Sequence, residues 1–283
     1  MAARLFSGVE RQRAAAGRTL RPPGRSPAGT TDHPMPQLSQ DLIARAVPQP
    51  LPGPAAPPPD ELRLKAEMQV FLHGRDPALG LWVFAYGALM WRFAEAAPDI
   101  VSPARLPGLA RRYTLRDTHD RGTPASPGLT LALEEAPALA CAGLLLHLPG
   151  PAVERHLWPV WRQEMAPGFH RPEWRDSLLT RSRDGGGAPI RALCFLPRRD
   201  HPLYAGELPV GVVADTLATA GGPGGTAAGH LLEAAETLRR NGMRDALLES
   251  LEAEVARRLS PAAPAPLAPI EAGRARGQRQ RAG

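Results

Sequence analysis

The run of short apolar segments between residues 81 and 196 constrains the fold more than any other feature of the sequence. Turn residues such as Pro127-Gly128 separate these segments, and no regular alternation of strand and helix links them. The pattern therefore disfavours a doubly wound parallel sheet and predicts an α+β fold with a small mixed β-barrel flanked by helices. We predict strands at Trp82–Tyr86, Ala104–Asp117, Leu129–Glu134, Ala142–Leu148, Trp174–Arg181 and Ile190–Leu196.

Helical periodicity precedes and follows the predicted strands. Apolar residues recur at helical spacing, and Asp60 is a suitable N-cap for the first helix. Pro159 either kinks the second helix or begins a new segment there. The predicted helices are Glu61–Leu72, Pro151–Met165, Leu208–Ala220, Thr226–Asn241 and Asp245–Leu259.

Both ends of the chain have a composition that is unsuited to folding. Residues 1–59 are rich in Pro, Ala and Arg, and residues 261–283 form a basic tail, so we predict disorder on either side of a domain at 60–260. Residues 1–32 carry a net charge of +4 and residues 271–283 one of +3, which leaves −1 from the total of +6 for the segment between them. Because the folded part is nearly neutral, solvated tails explain the basic pI, and we expect no nucleic-acid partner.

Cysteine content and hydropathy indicate the compartment. Cys141 and Cys194 each lie in an apolar run, which predicts free buried thiols in a reducing environment. No apolar run approaches the ~20 residues of a membrane span, and no secretory signal pattern is present. These features predict a cytoplasmic protein without a membrane partner.

Common metal and nucleotide motifs are missing from the sequence. The histidines are scattered without an HExxH or Cys/His box, so we expect no metal site. The glycines of Gly221–Gly225 follow a helical pattern and lack a P-loop signature, which favours a turn between two helices over a nucleotide site.

Two sequence features are candidates for a chemical role. The segment Leu81–Leu89 begins as an aromatic strand and breaks at Gly87, where free N–H groups would suit an anion, although an ordinary strand-to-loop corner has the same pattern. Glu164 ends an apolar helix face beside Trp161; it is either a solvated helix residue or a general base with a raised pKa. Taken separately, neither identifies a function.

Several short motifs together resemble the ChaC-like, glutathione-specific γ-glutamylcyclotransferase family over residues 81–257. Phe84–Leu89 is similar to the family's "FGYGSL" signature, and Arg162–Met165 to its "RREM" segment. The other matching segments, in chain order, are Arg111–Tyr113, Thr118 with Arg121–Pro124, Pro127-Gly128, Asp200–Pro209 and Ala220–Gly225.

The resemblance implies a γ-glutamylcyclotransferase-like fold and a lyase that converts glutathione into 5-oxoproline and Cys-Gly. The substrate's own α-amino group attacks its γ-amide carbonyl, so this chemistry needs a base and a rigid cradle but no nucleophile, metal or cofactor. The resemblance assigns general acid/base catalysis to Glu164. It assigns substrate contacts to Tyr86, Gly87, Ala88, Leu89, Thr118, Arg121 and His230.

Three residues depart from the family pattern and keep alternatives open. Ala85 replaces a usual Gly, Ala88 replaces a usual Ser, and His230 stands where the family commonly has Tyr. These changes permit a cyclotransferase for another γ-glutamyl peptide or amine, or a catalytically weak γ-glutamyl-binding protein. Nucleic-acid binding through the arginine-rich tails is a weaker alternative.

Overall fold

Five strands form the central sheet of the computed structural model, which describes residues 37–46, 57–76, 78–179 and 189–261. The strands are β1 (Leu81–Ala85), β2 (Ile100–Asp117), β3 (Gly128–Leu148), β4 (His170–Leu179) and β5 (Ile190–Pro197). They close into a barrel in the order β1-β3-β2-β4-β5, in which β1 and β5 are parallel and the other described pairs are antiparallel. The predicted small mixed barrel is confirmed.

The prediction of six strands is wrong, because Leu129–Glu134 and Ala142–Leu148 are the two ends of the single strand β3. The long strand β2 pairs with both ends. Between them the register shifts, so that Gly108 of β2, with a φ of +77°, opposes residues 136–139 of β3. Residues 137–140 are exposed, which interrupts the apolar pattern and makes one strand look like two in the sequence. The strand predicted at Trp174 begins earlier, at His170, and its predicted end at Arg181 lies outside the described residues.

Helices cover the barrel close to the predicted positions. They are α1 (Gln40–Ala46), α2 (Glu61–Leu72), α3 (Val153–Met165), α4 (Val210–Thr219), α5 (Ala227–Arg240) and α6 (Ala246–Leu259). The N-cap predicted at Asp60 is confirmed by a hydrogen bond from the Arg63 N–H to its carboxylate. α3 continues through Pro159 as one helix.

Helix α1 corrects part of the prediction for residues 1–59. Leu38, Leu42 and Ile43 are buried, and α1 packs against α5 and α6. Their apolar area offsets the cost of ordering this short segment, so the predicted disorder is wrong for residues 37–46. Residues 1–36 and 47–56 of the predicted arm and residues 262–283 of the predicted tail lie outside the described residues.

Aromatic side chains join α2 and α3 to the barrel wall. Trp161 of α3 is fully buried, with its ring edge-on to Phe195 of β5 at 6.0 Å between centroids. Phe71 of α2 contacts Trp161 at 5.4 Å and stacks on Trp174 of β4 at 4.9 Å. Large buried aromatic residues of this kind contribute several kcal/mol each, roughly, so this cluster fixes the C-terminal end of α3 against the barrel.

The predicted helix–helix turn at Gly221–Gly225 is a small hairpin between α4 and α5. Its strands are β6 (Gly221–Gly222) and β7 (Gly225–Thr226). Cys141 and Cys194 are buried and unpaired, as predicted. Within the described ranges, no helix combines the length and the apolar character that a membrane crossing requires.

Substitution of Gly143 in β3 tests how tightly the barrel wall is packed. A Cβ at this position would collide with the Ala85 carbonyl oxygen and the Phe84 ring, so we expect Gly143→Ala to lower the free energy of unfolding by about 2 kcal/mol. Gly211→Ala is the control: its Cβ would lie on an exposed face of α4, 3.8 Å from Arg258 Nη2, and we expect stabilisation by about 0.5 kcal/mol. Urea denaturation measures both, and equal stabilities for the two variants would contradict the packing described here.

Candidate active site

A cavity of about 1160 Å³ lies beside the barrel, at the end of β1. Residues from several separate parts of the chain line it, among them the end of β1, the segment after β2, the C-terminal end of α3 and the start of α5. Every site residue predicted from the sequence is among the lining residues. They are Tyr86, Gly87, Ala88, Leu89, Thr118, Arg121, Glu164 and His230.

The backbone after β1 leaves a group of N–H donors without acceptors. The chain turns at Gly87 into a single 3₁₀ turn, Ala88–Met90, in which the Met90 N–H donates to the Gly87 carbonyl. The first N–H groups of any helix have no intrahelical partner. Among the described residues, the N–H groups of Gly87, Ala88 and Leu89 have no hydrogen-bond acceptor. They form a donor cluster at residues that line the cavity.

Arg111 fixes the orientation of this donor cluster. Its side chain is 1% exposed, and its Nε donates to the Tyr86 carbonyl oxygen at 2.7 Å. The C=O and N–H of a planar trans peptide point in opposite directions, so this bond turns the Gly87 N–H away from the arginine. The orientation of the Tyr86–Gly87 peptide is therefore set by a buried charged residue of β2.

The same guanidinium connects three other elements. Nη2 donates to the Ala142 carbonyl oxygen of β3 at 2.7 Å and lies 3.9 Å from the Met90 sulfur, while Nη1 forms an ion pair with Asp245. Asp245 is also the N-cap of α6, where its other oxygen accepts from the Leu247 and Leu248 N–H groups. The buried charge is thus neutralised, and its hydrogen-bonding groups are satisfied by the barrel and the helical layer.

Asp117 shapes the loop that carries Thr118 and Arg121. One carboxylate oxygen accepts the N–H groups of His119 and Asp120, and the other accepts that of Arg121. A carboxylate at the end of a strand that accepts hydrogen bonds from the N–H groups of the following residues is typical of a tight turn. The Thr118 hydroxyl is 2.8 Å from the His119 ring, so its side chain is held locally.

The glycine hairpin packs directly on this loop. The Gly224 N–H donates to the Asp120 carbonyl oxygen at 2.7 Å. A Cβ on Gly222 would lie 2.6 Å from the carbonyl oxygens of Asp120 and Gly122, and Gly122 itself fits tightly against Gly128. The glycines of both motifs are therefore explained by close backbone approach rather than by nucleotide binding.

Two arginines and the carboxylate of Asp120 lie on this side of the cavity. Arg121 is buried and pairs with Asp120, and Arg92 lies 3.8 Å from the same carboxylate. His230 is 4% exposed and packs 5.2 Å from the Trp91 ring. Burial, followed by the charges of Arg121 and Arg92, holds the pKa of His230 well below its usual value, so its imidazole is neutral at pH 7.

Glu164 provides the carboxylate of the cavity. Its side chain is 14% exposed at the C-terminal end of α3, and burial raises its pKa to about 7, opposed by a hydrogen bond from Gln163. The Gln163 amide donates to Oε1 at 3.0 Å, and His170 Nδ1 lies 3.3 Å from Oε2. A carboxylate with a pKa near 7 exchanges protons readily at neutral pH, which is the property of a general base.

A family model described as ChaC-like protein matches residues 81–258. The chain belongs to this family. Among curated relatives, a glutathione-specific γ-glutamylcyclotransferase of Escherichia coli (strain K12) is 33% identical over 180 residues, which cover 64% of this chain and 74% of the relative. The human glutathione-specific γ-glutamylcyclotransferase 1 is 27% identical over 169 residues, 58% of this chain and 72% of the relative.

A solved structure supports the same fold. The crystal structure of a γ-glutamyl cyclotransferase specific to glutathione from yeast has a TM-score of 0.57 and 19% identity, covering 64% of this chain and 100% of the yeast chain. This chain therefore shares its barrel-and-helix fold with that yeast protein.

Sequence reasoning missed four residues at the site. Arg111 and Arg92 have no site role among the sequence predictions. For Arg111 the signal is an arginine inside an apolar strand, which indicates a buried charge, whereas Arg92 lies outside the strands and is exposed. Asp117 carries the signal of an acidic residue at a strand end. His170 was treated only as one scattered histidine, and no local pattern places it beside Glu164.

Arg111→Met tests the role of the buried guanidinium. We expect a loss of about 3–5 kcal/mol in the free energy of unfolding, because the change removes one partner of a buried ion pair and the hydrogen bonds to the Tyr86 and Ala142 carbonyl oxygens. Arg244→Met is the matched control, since Arg244 forms an exposed pair with Glu249 and we expect a change within ~0.5 kcal/mol. Chemical denaturation measures both, and a small effect at Arg111 would show that the ion pair contributes little.

Proposed function

We propose that this protein cleaves glutathione into 5-oxoproline and Cys-Gly by cyclising the γ-glutamyl group. The observation that carries the proposal is a buried carboxylate, Glu164, with a pKa of about 7 in the same cavity as the donor cluster of Gly87, Ala88 and Leu89. Membership of the ChaC-like family and the printed activity of the Escherichia coli and human relatives support it.

The reaction needs one proton carrier. Glu164 removes a proton from the α-ammonium group of the substrate, and the amine then attacks the γ-amide carbon to form the C–N bond of the five-membered ring. Protonated Glu164 returns the proton to the amide nitrogen, the original γ-amide C–N bond breaks as the carbonyl re-forms, and the amine of Cys-Gly leaves. The ring nitrogen still carries a second proton, which Glu164 takes and passes to the departing amine, so the products are the neutral lactam of 5-oxoproline and the ammonium form of Cys-Gly. The carboxylate ends the cycle in its starting state, which suits a group whose pKa is close to neutrality.

The donor cluster holds the negative charges of the substrate and of the reaction. Three N–H groups without internal acceptors suit the α-carboxylate or the carbonyl oxygen as it becomes an oxyanion. Because Arg111 orients the Tyr86–Gly87 peptide before substrate arrives, these donors need little reorganisation during the reaction. Thr118 and Arg121 complete the substrate contacts, and Arg92 adds positive charge on the same side.

His230 and Ala88 are the positions where substrate preference is set in this proposal. His230 is buried, neutral and lines the cavity, so it offers one donor and one acceptor to an uncharged part of the substrate. Ala88 retains its backbone N–H but offers no hydroxyl. The corresponding measurement compares glutathione with other γ-glutamyl peptides and amines as competing substrates.

We also propose a cytoplasmic location, as the sequence analysis predicts. Both cysteines are buried free thiols, and burial raises the pKa of Cys141, which keeps that thiol protonated. Glutathione is abundant where such thiols remain reduced.

Glu164→Gln tests the catalytic base. The amide preserves shape but cannot accept the proton, so we expect loss of 5-oxoproline and Cys-Gly formation from glutathione by at least ~100-fold with an unchanged melting temperature. Glu154→Gln, an exposed residue in the first turn of the same helix, should retain full activity. Near-normal turnover by Glu164→Gln would remove Glu164 from the mechanism. Calorimetric binding of glutathione to the wild type without product would instead indicate a binding protein.

The pH dependence of the wild type tests the raised pKa. Only ionised Glu164 accepts a proton, so kcat/KM for glutathione should rise with pH, about tenfold per unit on the acid side, and level off above about 7. A solvent-exposed glutamate would place this limb near its ordinary value of 4.5 instead. Initial rates between pH 5 and 8.5 measure the limb, and a midpoint near 4.5 would contradict the buried environment of Glu164.

A further inference from the structure

His170 is a buried titratable residue that the mechanism above does not use. It is the first residue of β4, is 6% exposed and lies between the C-terminal end of α3 and the end of β1. Its Nδ1 is 3.0 Å from the Glu164 carbonyl oxygen and 3.3 Å from Glu164 Oε2. Its Nε2 is 3.4 Å from the Tyr86 hydroxyl. One imidazole therefore contacts both the candidate base and Tyr86, the residue directly before the donor cluster.

The partners of the ring determine its tautomer. A carbonyl oxygen only accepts hydrogen bonds, so the Nδ1 atom beside the Glu164 carbonyl carries a proton. The Tyr86 hydroxyl donates its single proton to the Phe195 carbonyl oxygen at 3.0 Å, so its longer contact with Nε2 does not decide the tautomer, and the Nδ1 contact does. Burial lowers the pKa of His170 to about 4, so the ring is neutral at pH 7. In the Nε2–H tautomer, Nδ1 would have no proton to donate to this carbonyl oxygen.

We propose that His170 is a positioning residue for Glu164: its Nδ1–H, shared between the carbonyl and carboxylate oxygens of Glu164, fixes the carboxylate relative to the donor cluster. The proposal rests on the proposed function, in which Glu164 is the base. Contact with substrate is not part of it, because His170 acts through Glu164.

Holding both carboxylate oxygens restricts the base to one arrangement. Gln163 donates to Oε1 and His170 Nδ1 lies 3.3 Å from Oε2, while each oxygen keeps a lone pair for the substrate proton. A donor that is neutral rather than charged leaves the proton affinity of the carboxylate high, whereas an imidazolium would form an ion pair and lower it. Positioning of this kind affects the chemical step far more than substrate binding, since the substrate carboxylate is held elsewhere.

Three substitutions separate the two ring nitrogens. In His170→Asn the side-chain amide nitrogen occupies the place of Nδ1 and keeps a donor for Glu164. In His170→Gln the amide nitrogen occupies the place of Nε2 instead. His170→Phe removes both ring nitrogens. We expect His170→Phe and His170→Gln to lower kcat by about 10- to 100-fold with KM for glutathione within about twofold, since a hydrogen bond to a charged group is lost. His170→Asn should recover most of kcat. His147→Phe is the matched control, because His147 pairs with Asp99 away from the cavity residues, and it should retain activity.

A second measurement does not depend on glutathione turnover. Nitrogen-15 NMR of histidine-labelled wild-type protein at pH 7 should show His170, assigned by its loss in His170→Asn, as a neutral ring protonated at Nδ1. In Glu164→Ala the chemical shift of Nδ1 should move, because one of its two acceptors is gone.

The outcomes distinguish the proposal from the function on which it rests. An Nε2–H tautomer or a charged ring at pH 7 overturns the role of His170. Equal kcat values in His170→Asn and His170→Gln also overturn it. This comparison remains valid even if His170→Phe fails to fold. Wild-type protein without glutathione turnover overturns the proposed function. In that case the Nδ1–H tautomer and its response to Glu164→Ala still support the contact by which His170 positions Glu164.

Discussion

The buried guanidinium of Arg111 is the interaction on which the rest of the site depends. It joins the end of β1, the wall strand β3 and the N-terminus of α6, three elements that are far apart in sequence. A buried charge is tolerated only when its donors are satisfied, and here every partner belongs to a different element. The hydrogen bond from Arg111 to the Tyr86 carbonyl oxygen also orients the Tyr86–Gly87 peptide. One interaction therefore both stabilises the fold and orients the donor cluster.

The chemistry of the cavity comes from the environment more than from residue type. Glu164 acquires a pKa near 7 because it is buried at the end of α3, and His230 and His170 remain neutral because burial disfavours their charged forms. The aromatic cluster of Phe71, Trp161 and Trp174 holds the end of α3 against the barrel, which keeps the carboxylate out of water. The cavity is therefore lined by Arg121 and Arg92 as well as by the carboxylate of Glu164.

Predictions from the sequence succeeded where local physics decides the structure. The helices begin and end close to the predicted residues because caps such as Asp60 and apolar periodicity act within a few residues. They failed where distant partners decide: β3 is one strand because β2 pairs along it, although residues 137–140 are exposed. Helix α1 is ordered because Leu38, Leu42 and Ile43 are buried where α1 packs against α5 and α6, which composition alone does not reveal.

The sequence by itself determined the class of fold, the family and eight of the residues that line the cavity, because strand and helix patterns and the short motifs are local. The tertiary structure alone decided what those residues can do. Closure of the barrel brings Glu164 near a turn almost eighty residues earlier, fixes the peptide at Gly87 through Arg111 and places His170 against the carboxylate. Burial and donor geometry are properties of the packed chain, and they set the pKa values and directions on which proton transfer depends.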